Sequence, residues 1–197
     1  MRALLSFIFL LIMPAVSFGD EVTDYFSGLG NSIKELGVYQ VDFRIEVDNT
    51  PLKGYYVVSD CDFFFSFQEE EVFSNGSTRY VVDKKRREVT VLSSDDVTLG
   101  FLSNPAIDFR SVLTLFKYNL SGRDIILTYK DSSRSDESIS VRRDGSSFWP
   151  GSLVYSSSAG SITIFIDSVK KFNQAFPSYD DSKFEGYVVS DLRKNKD

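Results

Sequence analysis

The stretch over residues 54–83, GYYVVSDCDFFFSFQEEEVFSNGSTRYVVD, decides the fold. Phe63, Phe65 and Phe67 alternate with Phe64 and Ser66, so in a strand those three rings stand on one face of a sheet. Apolar runs flank them on both sides. Asn75-Gly76 is the strongest short hairpin signal available, because both residues tolerate the left-handed backbone that a tight turn needs. Three large rings on one face require a core, a partner or a ligand to cover them.

Upstream, VYQVDFRIEV alternates Tyr39, Val41, Phe43, Ile45 and Val47 with polar residues, the period of a half-buried strand. Asp48, Asn49 and Pro51 make a turn, and 52–58 runs back as the next strand. Before them, residues 20–36 carry Val22, Tyr25, Phe26, Leu29, Ile33 and Leu36 on one helical stripe. Acidic residues suit that helix's start and Gly37 its stop, while Gly28 and Gly30 weaken it, so tertiary packing must hold it.

Downstream, Lys84 to Arg87 form a basic turn and 88–92 returns as a strand. Asn104-Pro105 opens a helix whose face is Ile107, Phe109, Val112, Leu113 and Phe116. Strands follow over 124–130, 138–143, 153–156 and 161–170, the last alternating Ile162, Ile164 and Ile166. Residues 171–181 read as loop, 184–189 as a final strand and 191–197 as a charged, frayed tail. Ten or eleven short strands with two helices predict one curved antiparallel sheet, and a sheet that long closes, splits or curls around something.

Composition bounds the chemistry. Met1-Arg2, an apolar run to Met13 and the small residues Ser17 and Gly19 read as a signal peptide over 1–19, cleaved before Asp20. That leaves 20–190 as a single domain. With Arg2 gone, 21 basic residues face 28 acidic ones, a net −7 that argues against nucleic acid. The lone Cys61 cannot form an internal disulfide, so the core supplies the stability. The chain has no histidine, which removes Ser-His-Asp and Cys-His catalysis and the usual zinc sites. No Gly-rich phosphate loop or EF-hand spacing is present. The expectation is a protein without catalytic residues, metal or cofactor.

An exported helix, a strand, then GYYVVSD at 54–60, Phe-rich strands, the Ser74-Asn75-Gly76 hairpin with Tyr80 after it, Glu88-Val89-Thr90-Val91, and Asn104-Pro105 opening a helix form a recognisable order. That order resembles the periplasmic outer-membrane lipoprotein carriers, the LolA family, over nearly all of the chain beyond the leader. The resemblance implies a mainly β fold with helices, an incomplete, half-open antiparallel β-barrel covered by a helical lid. It also implies a soluble periplasmic monomer that shields the acyl chains of lipoproteins, takes them from an inner-membrane release complex and delivers them to a receptor at the outer membrane. One departure stands out. The family carries Lys-Arg-Pro after the strand matching 55–58, where the Arg helps latch the lid; here those positions are Ser59, Asp60 and Cys61.

On this reading the cavity wall comprises Tyr39, Val41, Phe43, Phe63, Phe65, Phe67, Val89, Val91, Ile162 and Ile164, and the lid comprises Ile107, Phe109 and Val112. The same side chains would equally serve as an ordinary core face, and a one-residue slip in register turns any of them to the other side. Two further functions stay open on the same fold: an envelope sensor or adaptor binding a lipid or lipoprotein, and an interaction protein whose half-barrel is filled by its own side chains.

Overall fold

A computed structural model describes residues 18–47, 50–93, 109–145 and 147–193, with side chains from Glu21 in the first helix and from Val112 in the second. Helix α1 spans Phe18–Leu36. Six strands follow in meander: β1 Tyr39–Val47, β2 Thr50–Ser59, β3 Asp62–Phe67, β4 Glu70–Asn75, β5 Thr78–Asp83 and β6 Glu88–Ser93. Helix α2, Phe109–Leu115, leads into β7 Phe116–Ser121, β8 Asp124–Tyr129, β9 Ser138–Arg143, β10 Pro150–Ser157, β11 Gly160–Lys171 and β12 Val188–Asp191.

All twelve strands join one sheet in the order β12-β6-β5-β4-β3-β2-β1-β11-β10-β9-β8-β7. The order ends on β12 and β7, so the sheet is open. Every pair is antiparallel except β12 with β6, which is parallel. The sheet is thus mainly antiparallel, as expected, with this one exception. Its cause is residues 172–187, which return along the sheet so that β12 enters β6 from the same end.

Turn chemistry sets the registers. Asn75 Oδ1 accepts from the Thr78 N–H at 2.9 Å and Gly76 has φ 77°, which closes β4 onto β5. Gly37, at φ 67°, ends α1 and donates its N–H to the Ile33 carbonyl at 3.1 Å. Asp60 and Gln68, both at φ 54°, make two-residue turns before β3 and after it.

Helix α1 lies across one face of the sheet, the inner face. Its Glu21 pairs with Arg143 at the end of β9, while Ile33 and Leu36 pack beside Tyr39 at the start of β1. Nineteen residues give about 28 Å of helix, enough to cross about six strands spaced about 4.8 Å apart. Val22, Tyr25, Phe26 and Leu29 pack with Val112 of α2 and with Ile125, Leu127, Ile139 and Val141. Ile33 and Trp149 touch both this cluster and the one around Tyr39, Val41, Val58 and Phe63, so the two form a continuous plug. Gly28 makes room for Phe148: a Cβ there would strike its ring. The glycine that weakens the helix is therefore the notch that docks Phe148 against it.

The outer face of β2–β6 is also apolar. Val57, Phe64, Phe73, Val82, Val89 and Val91 pack there under residues 172–187. Tyr179 stacks on Tyr80 at 3.9 Å and on Phe184 at 5.4 Å, so what reads as loop is an aromatic strap. β12 begins at Val188, so the expected final strand over 184–189 is shifted: Phe184 ends a 3-10 turn, Asp181–Phe184. β7 is a strand where only the end of a helix was expected, because Phe116 leaves α2 and its ring packs on Tyr129 at 4.3 Å.

Candidate functional site at the open end of the inner face

Burial along the inner face is graded. Along β1 it falls from Tyr39, Val41 and Phe43, all buried, through half-buried Ile45 to Val47 at 49% exposure. Along β3 it falls from Phe63, 2% exposed, to half-buried Phe65 and Phe67. β11 starts at that same open end, where Ile162 is 45% exposed. The plug accounts for the gradient: α1 and Trp149 lie where β1 and β3 begin, and Val112 of α2 packs against β7–β9.

At the open end an aromatic cluster lines the face. Phe43 stacks on Phe65 at 5.7 Å and on Phe67 at 5.8 Å, and lies 6.3 Å from the ring of Tyr56. Gly54 sits between them in register with both Phe43 and Phe67. A Cβ at Gly54 would lie 2.6 Å from Phe43 and 2.9 Å from Phe67, so its missing side chain is what lets the rings lie flat on the sheet. Ile45 pairs with Ile164 across the β1–β11 seam, and Ile164 with Leu153, which extends the apolar surface sideways.

Two tyrosine hydroxyls, of Tyr56 and Tyr39, carry no charge. Burial raises the phenol of Tyr56 far above its ordinary range, and the neighbouring Tyr39 adds to this; burial alone does the same at Tyr39. Both hydroxyls stay protonated at any physiological pH. On the far wall Arg134 lies 3.7 Å over the Tyr129 ring and bonds Glu137, which also accepts from the Tyr155 hydroxyl at 2.8 Å. Those hydrogen bonds from Arg134 hold the Glu137 carboxyl below its usual range, so this charged pair is already satisfied.

The expected wall divides into three groups. Phe43, Phe65, Phe67, Ile162 and Ile164 come together at the open end. Tyr39, Val41 and Phe63 share their face but lie under the plug. Val89 and Val91 are on the opposite face: Val89 pairs with Val82 and Val91 with Tyr80, all beneath the strap. The correction has a simple cause, since alternate residues of a strand face opposite ways and Thr90 is the one turned inward. Of the expected lid, Val112 is buried against α1, Phe109 begins α2, and Ile107 lies outside the described residues. Ile45, Val47 and Tyr56 also belong to the open end, beyond the expected wall. The alternation of β1 contained two of them, and Tyr56 faces inward because it pairs with Val41.

Among the described residues no helix is long and apolar enough to cross a membrane. No protein-family model matches the chain, and no curated protein matches it. Solved structures match at low identity. An uncharacterised conserved protein from Thermus thermophilus aligns with a TM-score of 0.51 and 8% identity, over 88% of this chain and 99% of that one. A LolA superfamily protein from Nitrosomonas europaea aligns with a TM-score of 0.39 and 12% identity, over 79% of this chain and 96% of the other. A chain of the Pseudomonas aeruginosa MucA/MucB complex aligns with a TM-score of 0.43 and 10% identity, over 84% of this chain and 60% of its own length. The Thermus likeness shows a shared fold.

Proposed function

We propose that this protein is an exported, periplasmic carrier that shields acyl chains of lipoproteins on its inner face and delivers them to the outer membrane. The observation that carries the reading is the graded inner face, apolar along β1 and β3 and, among the described residues, covered at the end where those strands begin. The Phe43, Phe65 and Phe67 rings, with Ile45, Ile162 and Ile164, offer a surface for alkyl chains beside uncharged tyrosines. Each methylene moved from water contributes about 0.8 kcal/mol, so a sixteen-carbon chain supplies roughly 12 kcal/mol before ordering costs. A carrier has to release its cargo, and the half-buried rings of Phe65 and Phe67, packed on buried Phe43, hold a chain less tightly than an enclosed cavity. The order of elements, which resembles the LolA family, supports the same function. An inner-membrane release complex and an outer-membrane receptor are the partners it implies.

The test is lipid analysis of protein purified natively from the exported fraction. Mass spectrometry is expected to find co-purifying acylated lipoprotein or acyl lipid, and the emptied protein is expected to take up a fluorescent acyl probe. Lipid-free native protein that takes up no probe overturns the reading and leaves a self-filled interaction protein. Labelled lipoprotein is expected to pass from the protein to outer-membrane vesicles; retention would instead mark a lipoprotein sensor on the same fold.

A further inference from the structure

The seam between β1 and β11 is zipped along most of its length and forked at the open end. Pairing stops at Ile45 with Ile164. Yet β1 continues against β2 as far as Val47 with Thr50, and β11 already pairs with β10 from Gly160. Residues 46–47 and 160–163 are therefore strand with a neighbour on one side only, and the two hairpins diverge. A recess of about 460 Å³ occupies the fork, within the about 300–1,000 Å³ of small-ligand sites.

The lining runs through the sheet. Ile45, Val47 and Ile162 face inward, continuous with the aromatic cluster, whereas Glu46 and Phe165 face outward. The recess is thus a passage between the two faces. Its lips, Val47 and Ile162, are among the large apolar side chains most exposed to water. Below the fork the seam is fastened. Asp42 accepts from Lys170 at 2.8 Å and from Ser168 at 2.6 Å, and a bulge between Asp42 and Phe43 shifts the register. Opening is confined to the last two residues of β1.

Charge selects what can pass. The Arg44 guanidinium lies 4.5 Å over the Phe165 ring, bonds Asp167 and stands 3.7 Å from Glu46, so two carboxylates share it. Among the described residues the lining itself holds one carboxylate, Glu46, and no cation. Lys53, opposite Arg44 on β2, stands outside it. An arriving fatty-acid carboxylate or phospholipid phosphate finds no counter-charge among the described lining residues, while a chain joined by ester or amide to an uncharged head needs none.

We infer that the β1–β11 fork is a lateral port for an acyl chain whose head group carries no negative charge. The inference rests on the carrier reading above. It is tested with the full exported chain carrying the photo-crosslinker benzoyl-phenylalanine at Val47, Ile162 or Phe65, and at outward-facing Thr128 as control. The probe is a radiolabelled, N-acetylated dipalmitoylglyceryl-cysteinyl peptide without charged residues. Cross-links are expected at Val47, Ile162 and Phe65 and not at Thr128. Cross-links at Phe65 with none at Val47 or Ile162 overturn the port and leave the carrier; cross-links at none of the three overturn both. Palmitate is expected to compete at least about fivefold more weakly than unlabelled lipopeptide, and Glu46→Lys to narrow that gap about fivefold. Equal competition in the native chain overturns the head-group selection.

Discussion

Phe63 and Phe67 stand four residues apart on β3, on the same face, and differ in what covers them. Phe63 packs with Tyr39, Val41 and Val58 beneath α1, and the Arg79 guanidinium lies 5.4 Å over its ring. Phe67 stacks on Phe43, lies beside Phe65 and Gly54, and is half-buried. The two ends of the inner face use one residue chemistry for two purposes. At the plugged end, apolar surface is spent on holding α1. At the open end it is kept available, and the rings stay ordered by stacking on each other over Gly54.

The contrast predicts separable effects. Phe63→Ala is expected to destabilise the fold by about 3–5 kcal/mol in urea titration, because a fully buried ring leaves a cavity that the plug cannot fill. Phe67→Ala should cost clearly less, in proportion to its smaller burial. Equal losses would mean that both ends are core. For acyl-probe binding the order reverses in kind: Phe65→Glu should weaken binding at least about tenfold, since it places a carboxylate among stacked rings. Lys85→Glu, on the exposed turn between β5 and β6, should leave binding within about twofold. Similar effects from the two would remove the open end as the binding surface.

The smallest effect concerns the notch that holds the plug. Gly28→Ala alone should give no stability gain, because the new methyl meets the Phe148 ring. In a Phe148→Ala background the same change should stabilise α1 by about 1 kcal/mol, the usual advantage of alanine over glycine within a helix. Thermal or chemical unfolding of the four variants measures the coupling. A gain in the native background would show that the loop does not depend on the notch.

Much of this was legible beforehand. The period-two pattern of β1, the alternating rings of β3, the Asn75-Gly76 hairpin and the stripe on α1 each have a local cause, and each element lies where its pattern puts it. β7 was hidden behind Phe116, which completes the helical face of α2 by spacing. Only the alternation of Tyr118 and Leu120 with Lys117 and Asn119 pointed to a strand. Residues 171–181 read as loop because the aromatic residues there have no period; Tyr179 and, further on, Phe184 are placed by contact with Phe73 and Tyr80 on distant strands. Val89 and Val91 went to the wrong face because β6 is apolar at Val89 and Val91 for the sake of that strap.

By itself, the sequence determined the kinds of element, their order, the turns, and that three phenylalanines of β3 share a face. These follow from steric preferences and periodicities that act over a few residues. Only the tertiary structure decided which end of the inner face is filled, that Gly28 receives Phe148, and that β1 parts from β11 after Ile45. Burial and seam pairing depend on segments more than a hundred residues apart in the chain, and the pattern within one strand carries no record of what will lie across from it.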